Sequence, residues 1–449
     1  MSMSIGGLAS GLDTTGIIDN LMKIEAIPQT QLQSKQKTTN SFITALQALN
    51  TKVASLTENA AKAMKAASFD VWKGNASADS VTVATATGAT AGSIEFRVDA
   101  LAQGRSSLSG VLADASTLLT DGKFTITDGK GVSHEITPSS TSLTDLASAI
   151  NAKSDLGVKA TLVNTAGGSR LQLSSTATGA TEGSYTVTSG SAEGDFSQIR
   201  AAQDAQITLW PDLALPGSAV TSASNTFDDL MAGVDVTVTK VSAPTDAAIT
   251  VDVVKDDDAI TKLGENLVAQ LNLILSEISS QSKVTTSTSS TGTATAKGGV
   301  FTGDSGVRQL ASQISEAASF PVDGKSPASI GITLNRDGTF AFDAAKFKTA
   351  FTDDPSATQA MLTGVATRIE AAGKATSHKD EGTLTRRIQG QQSLAADYTK
   401  QIERWDDRLE QRRANLVQVY TALEVALSGI QSQSTWLSGQ LASLPSWDS

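Results

Sequence analysis

Residues 398–430 read YTKQIERWDDRLEQRRANLVQVYTALEVALSGI, and their spacing decides the architecture. Working upstream, Ile388, Gln391, Ala395, Tyr398, Ile402, Trp405 and Leu409 alternate by three and four residues, which is heptad spacing. The seam then passes Arg413, a four-residue stutter that locally unwinds a supercoil. It resumes through Leu416, Tyr420, Leu423, Leu427 and Ile430, then Leu437, Leu441 and Leu444. No proline stands between Leu384 and Pro445. The spacing predicts a helix of roughly 45–60 residues, against a usual mean of about 11–12. A narrow seam on so long a helix needs a helical partner to bury it.

The other end of the chain supplies a candidate. Ile17, Ile18, Leu21, Ile24 and Ile27 recur at helical spacing, and Pro28 then interrupts, which biases Ile27 away from the helical region. Pro28 is also well placed to begin a second helix. That helix carries Phe42, Leu46, Leu49, Val53 and Leu56, again spaced by four and three. The two ends are therefore expected to pair.

Between them the pattern changes period. Val81 and Val83; Ile94, Phe96 and Val98; Phe124 and Ile126; Leu171 and Leu173; Tyr185 and Val187; Val234, Val236 and Val238; and Ile249, Val251 and Val253 all alternate. Turn signals such as Asp121-Gly122, Asp128-Gly129 and Gly167-Gly168 separate them, which predicts antiparallel hairpins. One helix interrupts, with Leu143, Leu146 and Ile150 on one face and Ser142 as its cap. Helices are expected again over 258–282 and 306–318, a mobile loop over the Ser/Thr-rich 283–298, and a hairpin around Asp337-Gly338. A further helix should open at Asp353-Asp354-Pro355. The fold class is thus α+β and multidomain. The expected organisation is an N-terminal helix over 1–40, a core helix over 41–75, a β-rich insert over 76–255 with an inner subdomain near 103–222, a mixed α/β segment over 256–383, and the long helix over 384–449.

Composition narrows the function. The 449 residues are 39% apolar and 4% aromatic, which suits several small cores better than one large one. There are 0 Cys and 2 His, so thiol catalysis, disulfides and His-rich metal sites are excluded. A net charge of −11 argues against nucleic-acid binding. No apolar run reaches membrane-spanning length, and the first 20 residues lack the pattern of a Sec-type signal peptide. Residues 76–250 hold nine basic and eighteen acidic residues, so most of the negative charge lies in the insert.

A search for chemistry returns little. Gly324-Lys325-Ser326 lacks the upstream glycine of a phosphate-binding loop, since position 319 is Ser. Asp256-Asp257-Asp258 reads as a helix start rather than a metal site. His134, in a predicted strand, and His378, in a predicted loop, have no evident triad partners, and Glu193 and Asp195 read as solvated acids. No catalytic, cofactor or metal residue is expected. Lys400, Arg404, Arg408 and Arg412 form a basic ridge at intervals of four. It could meet acidic residues of another helix or subunit, but the preferred reading has Glu403 and Asp407 neutralise it within the helix. The apolar residues at the ends, Ile17, Ile18, Leu21, Ile24, Leu423, Leu427, Ile430, Trp436, Leu437 and Leu441, are expected to be an oligomer or filament interface that orders on assembly. Phe42, Leu46, Leu49, Val53, Leu56, Ile402, Trp405 and Leu409 are expected to form the seam of the paired helices.

At both ends the residues carry a resemblance. Gly7-Leu-Ala-Ser-Gly-Leu-Asp-Thr14, then Ile17-Ile18-Asp19 and Leu21 to Ala26 with Pro28, resembles the opening of the hook-associated protein 2 family of bacterial flagellar filament caps. Gly382 to Arg386, the stretch around Trp405, Leu416, Tyr420 to Glu424, and Ser434 to Leu441 resemble its far end. Ser142 to Asn151 with Gly157-Val158 is similar to the hook IN repeat, and Ile330 to Gly338 fits the family's C-terminal region. Tyr420 stands where Phe is usual, and residues 207–217, with Trp210, Pro211 and Pro216, depart from the pattern.

The resemblance implies a leg of terminal helices and a plate of β-rich heads. It implies a self-assembled ring, pentameric or similar, at the filament tip, under which exported flagellin folds and is added. It further implies secretion through the flagellar type III channel, contact with hook-associated junction proteins, an export chaperone on the C-terminal region, and in some members adhesion to mucin. No cofactor is implied. An adhesin and a hook–filament junction protein are the alternatives. An enzyme is disfavoured because no nucleophile–base pair is evident.

Overall fold

The computed structural model describes residues 11, 13–188, 196–213, 215–288 and 294–442. The first six positions of the Gly7–Thr14 motif other than Gly11, together with Glu193, Asp195, Leu444 and Pro445, lie outside them. The chain opens with α1 (Thr14–Glu25), capped by Asp13, whose carboxylate accepts the Gly16 N–H at 2.8 Å, and α2 (Ile27–Ala63). The break between them falls at Ala26, so Ile27 is helical, contrary to the expectation from Pro28. Pro28 lacks the N–H that Ile24 O would receive. The Ala26 N–H reaches that carbonyl as well as Met22 O, and the second helix starts at once.

Strands follow: β1 (Trp72–Ala76), β2 (Val81–Thr85), β3 (Gly92–Ala100), β4 (Ser106–Ser109), β5 (Phe124–Asp128) and β6 (Ser133–Ile136). Then come α3 (Leu143–Ala152), β7 (Val158–Thr165), β8 (Gly168–Ser175), β9 (Tyr185–Thr188), β10 (Phe196–Arg200), β11 (Ala205–Leu209), β12 (Ala219–Ser222), β13 (Thr226–Met231), β14 (Val234–Val238) and β15 (Ile249–Lys255). The remainder is α4 (Asp257–Ser282), β16 (Val284–Thr288), β17 (Ala294–Gly298), α5 (Ser305–Ser319), β18 (Ile332–Leu334), β19 (Phe340–Phe342), α6 (Ala344–Asp353), α7 (Pro355–Ser377) and α8 (Thr383–Ala442).

Two compact units result, one from residues 1–65 and 261–449, the other from 66–260. The β-rich unit is antiparallel at every named strand pair and holds two cores. In one, a five-stranded sheet of order β1-β15-β3-β11-β12 and the sheet β13-β14-β2 bury Phe96, Ile207, Val236 and Val251. In the other, β10-β4-β8-β7 and β6-β5-β9 enclose α3 residues Leu146 and Ile150 with Phe124, Leu171 and Tyr185. The alternating runs supply these faces directly: Val234, Val236 and Val238 are all buried while Asp235 and Thr237 between them are half-buried. Burial raises the proton affinity of the Tyr185 phenol, which donates to Leu173 O at 2.8 Å.

In the helical unit, Leu46, Leu49, Val53 and Leu56 on α2 are fully buried, each worth about 1.5–3 kcal/mol of apolar transfer. Asp354 caps α7 by accepting the Ala357 N–H, with Pro355 at the first position. Residues 283–298 are not a plain loop. β16 and β17 pair in antiparallel register from Val284↔Gly298 to Thr288↔Ala294, because the β-branched threonines fit a pleated ladder. Helix α6, capped by Asp343, was not expected from the sequence.

Candidate assembly interface

Helix α8 runs antiparallel to α1 and α2, and three polar contacts fix the register. Gln36 Nε2 donates to Thr399 Oγ1 at 2.7 Å, Gln29 Nε2 to Asp406 Oδ1 at 2.5 Å, and Arg413 pairs with Asp19 at 2.7 Å. As the α1–α2 residue number falls, its α8 partner rises. Apolar residues fill the spaces between these contacts: Ile402, Trp405 and Leu409 are half-buried. Phe42 meets Phe301 edge-on at 6.0 Å, with the Arg387 guanidinium over its ring at 5.0 Å. Arg387 in turn holds Asp304 in a bidentate pair. Burial is the largest single influence on Asp304 and raises its affinity for a proton, but the Arg387 hydrogen bonds and charge together with the Val307 and Gly306 N–H groups outweigh it and keep the carboxyl below the usual range.

The end residues divide by position along this pairing. Ile18 is buried, beside a crevice of about 140 Å³ lined by Thr14, Arg413, Val417 and Tyr420. Ile17 and Leu427 are half-buried, whereas Leu21 and Ile24 are exposed. Beyond Glu424, which is buried, the helix carries Val425, Ile430, Trp436, Leu437 and Leu441 exposed, with Trp436 at 66% and Ile430 at 61%. The eighteen residues 425–442 extend about 27 Å. Val417, Val419 and Val425 are exposed too, and the sequence reading missed them because they lie off the heptad seam.

The basic ridge departs from its preferred reading. Among the described residues neither Lys400–Glu403 nor Arg404–Asp407 forms an ion pair, and the Arg408 guanidinium instead lies over the Trp405 ring at 5.0 Å. All four side chains are exposed, and water solvates each charge as well as a partner would. Asp256 acts as the α4 cap, accepting the Ala259 N–H at 2.9 Å. His134 lies on β6 between Asp128 (3.5 Å) and Asp155 (3.7 Å), and His378 ends α7, its Nδ1 accepting the Asp380 and Glu381 N–H groups. Among the described residues no group of three or more His, Asp or Glu side chains is placed to hold a metal ion, and no helix is long and apolar enough to cross a membrane.

Comparison with known proteins gives matches along most of the chain. Residues 202–432 match the flagellar hook-associated protein 2 C-terminus, 10–105 its N-terminus, and 123–177 the flagellin hook IN motif. The lateral flagellar hook-associated protein 2 of Vibrio parahaemolyticus is 33% identical over half of each chain. The flagellar hook-associated protein 2 of Escherichia coli K12 is 26% identical over 98% of each. The fold is similar to that of the D1-D2-D3 domains of the flagellar cap protein FliD from Escherichia coli, with a TM-score of 0.57 at 20% identity, covering 78% of this chain and 99% of that one.

Proposed function

This chain belongs to the flagellar hook-associated protein 2 family, and from that premise we propose that it is a structural cap of the flagellar filament. The observation that carries the reading is the last stretch of α8, where Ile430, Trp436, Leu437 and Leu441 stand exposed on a helix that extends past the start of α1 among the described residues. Contiguous apolar surface of this kind marks an interaction site. Copies of the chain bury these residues against one another and form a ring, with the paired end helices as leg and the β-rich unit as head. Ile17, Ile18, Leu21 and Ile24 join the same interface. The ring sits at the filament tip after export through the flagellar channel. It retains exported flagellin until it folds and adds, and it contacts the junction proteins at the start of filament growth. A chaperone covers the C-terminal region before export.

The decisive experiment is electron microscopy of the labelled protein on filaments, paired with a deletion strain. Tip labelling, and loss of filaments with flagellin released to the medium, are expected. Full filaments without leakage would overturn the reading. Adhesion to mucin is a second role, favoured by the exposed Trp210, Leu213 and Leu215 on the β-rich unit. Deleting residues 76–250 should abolish such binding while the helices still self-associate.

A further inference from the structure

Around α8, successive residues turn by about 100°. Lys400, Arg404, Arg408 and Arg412 therefore sweep about 120° of one flank, beside a groove of about 530 Å³ lined by Gln401, Arg404, Trp405, Asp407, Arg408 and Gln411. Glu403, Asp406 and Glu410 fall on the opposite flank, and the apolar seam that meets α1 and α2 lies between the two. Among the described residues, neither flank forms an ion pair within the chain, and Asp406 is tied only to Gln29. A helix with one basic and one acidic flank at the same height is complementary to a copy of itself placed alongside in the same direction. It is not complementary to itself across a two-fold axis. We propose that these flanks form a head-to-tail contact between legs, in which the Lys400–Arg412 ridge of one copy faces Glu403 and Glu410 of the next. Such a heterologous contact repeats around a ring. Opposed charges of this kind set register and reject wrong partners more than they supply affinity, which the apolar ends provide. The occupant is a second copy because the complement of each flank is present on the chain itself, at the same level.

This inference rests on the ring reading above, so its test must separate the two. Two full-length variants are made, Lys400→Glu with Arg404→Glu, and Glu403→Lys with Glu410→Lys, together with the chain carrying all four changes. None of these side chains is buried. Sedimentation velocity is run with each, alone and mixed in equal amounts, at low and high salt. Each two-site variant alone should need at least tenfold more protein to associate. The fourfold swap should recover wild-type association, the equimolar mixture should associate more strongly than either variant alone, short of wild type where an odd ring leaves one like-charged contact, and added salt should weaken the wild type. Far-ultraviolet circular dichroism identifies a misfolded variant, and recovery in the swap or the mixture is then the deciding result. Two-site variants that assemble like wild type, or a mixture and a swap that both fail to recover, overturn the flank contact and leave the ring standing. A wild-type chain that remains monomeric at every concentration overturns both.

Discussion

Glu277 shows what a single side chain contributes to joining distant segments. It lies on α4, and its partner Lys52 lies on α2, 2.5 Å away. The Lys52 hydrogen bond holds the Glu277 carboxyl below its usual range against the opposing effect of burial. A depressed carboxylate contributes stability above its unfolded value and loses it as pH falls through the folded one. Glu277→Gln should therefore lower the unfolding free energy at pH 7 by about 1 kcal/mol for a half-buried pair, read as a lower melting temperature. The gap to wild type should narrow as pH falls below the ordinary glutamate range and through the lowered folded value, where position 277 becomes uncharged in both proteins. A gap that persists unchanged in acid would assign the effect to packing. Gly373 on α7 acts by absence. A Cβ there would lie 2.1 Å from Thr57 Oγ1 on α2, so the two helices approach through the missing side chain. Gly373→Ala should cost about 1–3 kcal/mol of overpacking strain. Adding Thr57→Ala should return most of it, and a double-mutant cycle by denaturant titration measures the coupling.

At the scale of elements, legibility depended on whether a segment's own residues decide its state. Helix α8 was readable because its seam repeats for many turns, and β14 because three valines alternate. Helix α7 was readable from its start, where Asp354 and Pro355 provide the cap and the first position. Asp354→Ala should destabilise by about 1 kcal/mol through the orphaned Ala357 N–H, read as a lower denaturant midpoint. Helix α6 escaped because ten residues give too few turns for a period to emerge, although Asp343 is a cap of the same kind. The hairpin β16–β17 escaped for a different reason: all ten strand residues are exposed, so no apolar alternation marks them. The interface residues were legible as apolar, but their exposure was not. Ile18 and Ile24 share one helix and one pattern, yet only Ile18 meets α8, because the antiparallel register brings Arg413 and Tyr420 opposite the start of α1. Register of that kind is set by Gln29, Gln36 and Asp19, polar residues that no periodicity singles out.

For the molecule as a whole, the same chemistry has opposite consequences at two places. Leu49 is fully buried among α2 and its neighbours, and Leu49→Ala removes both its transfer energy and the packing around it, about 2–5 kcal/mol. Trp436 and Leu437 are larger in combined apolar area but stand in water in the single chain. Replacing both with Ser should leave the unfolding free energy of the dilute protein within about 0.5 kcal/mol of wild type, because nothing buried is lost. At high protein concentration the outcome should invert. If these residues are sheltered by neighbouring copies, wild type gains apparent stability with concentration and the double variant does not, since only association-linked burial depends on mass action. Melting temperature measured over a hundredfold range of concentration separates the cases. A rising curve for wild type and a flat one for the variant place the last turns of α8 in an intersubunit contact. Parallel curves for the two proteins would mean that the exposed stripe has no part in holding copies together.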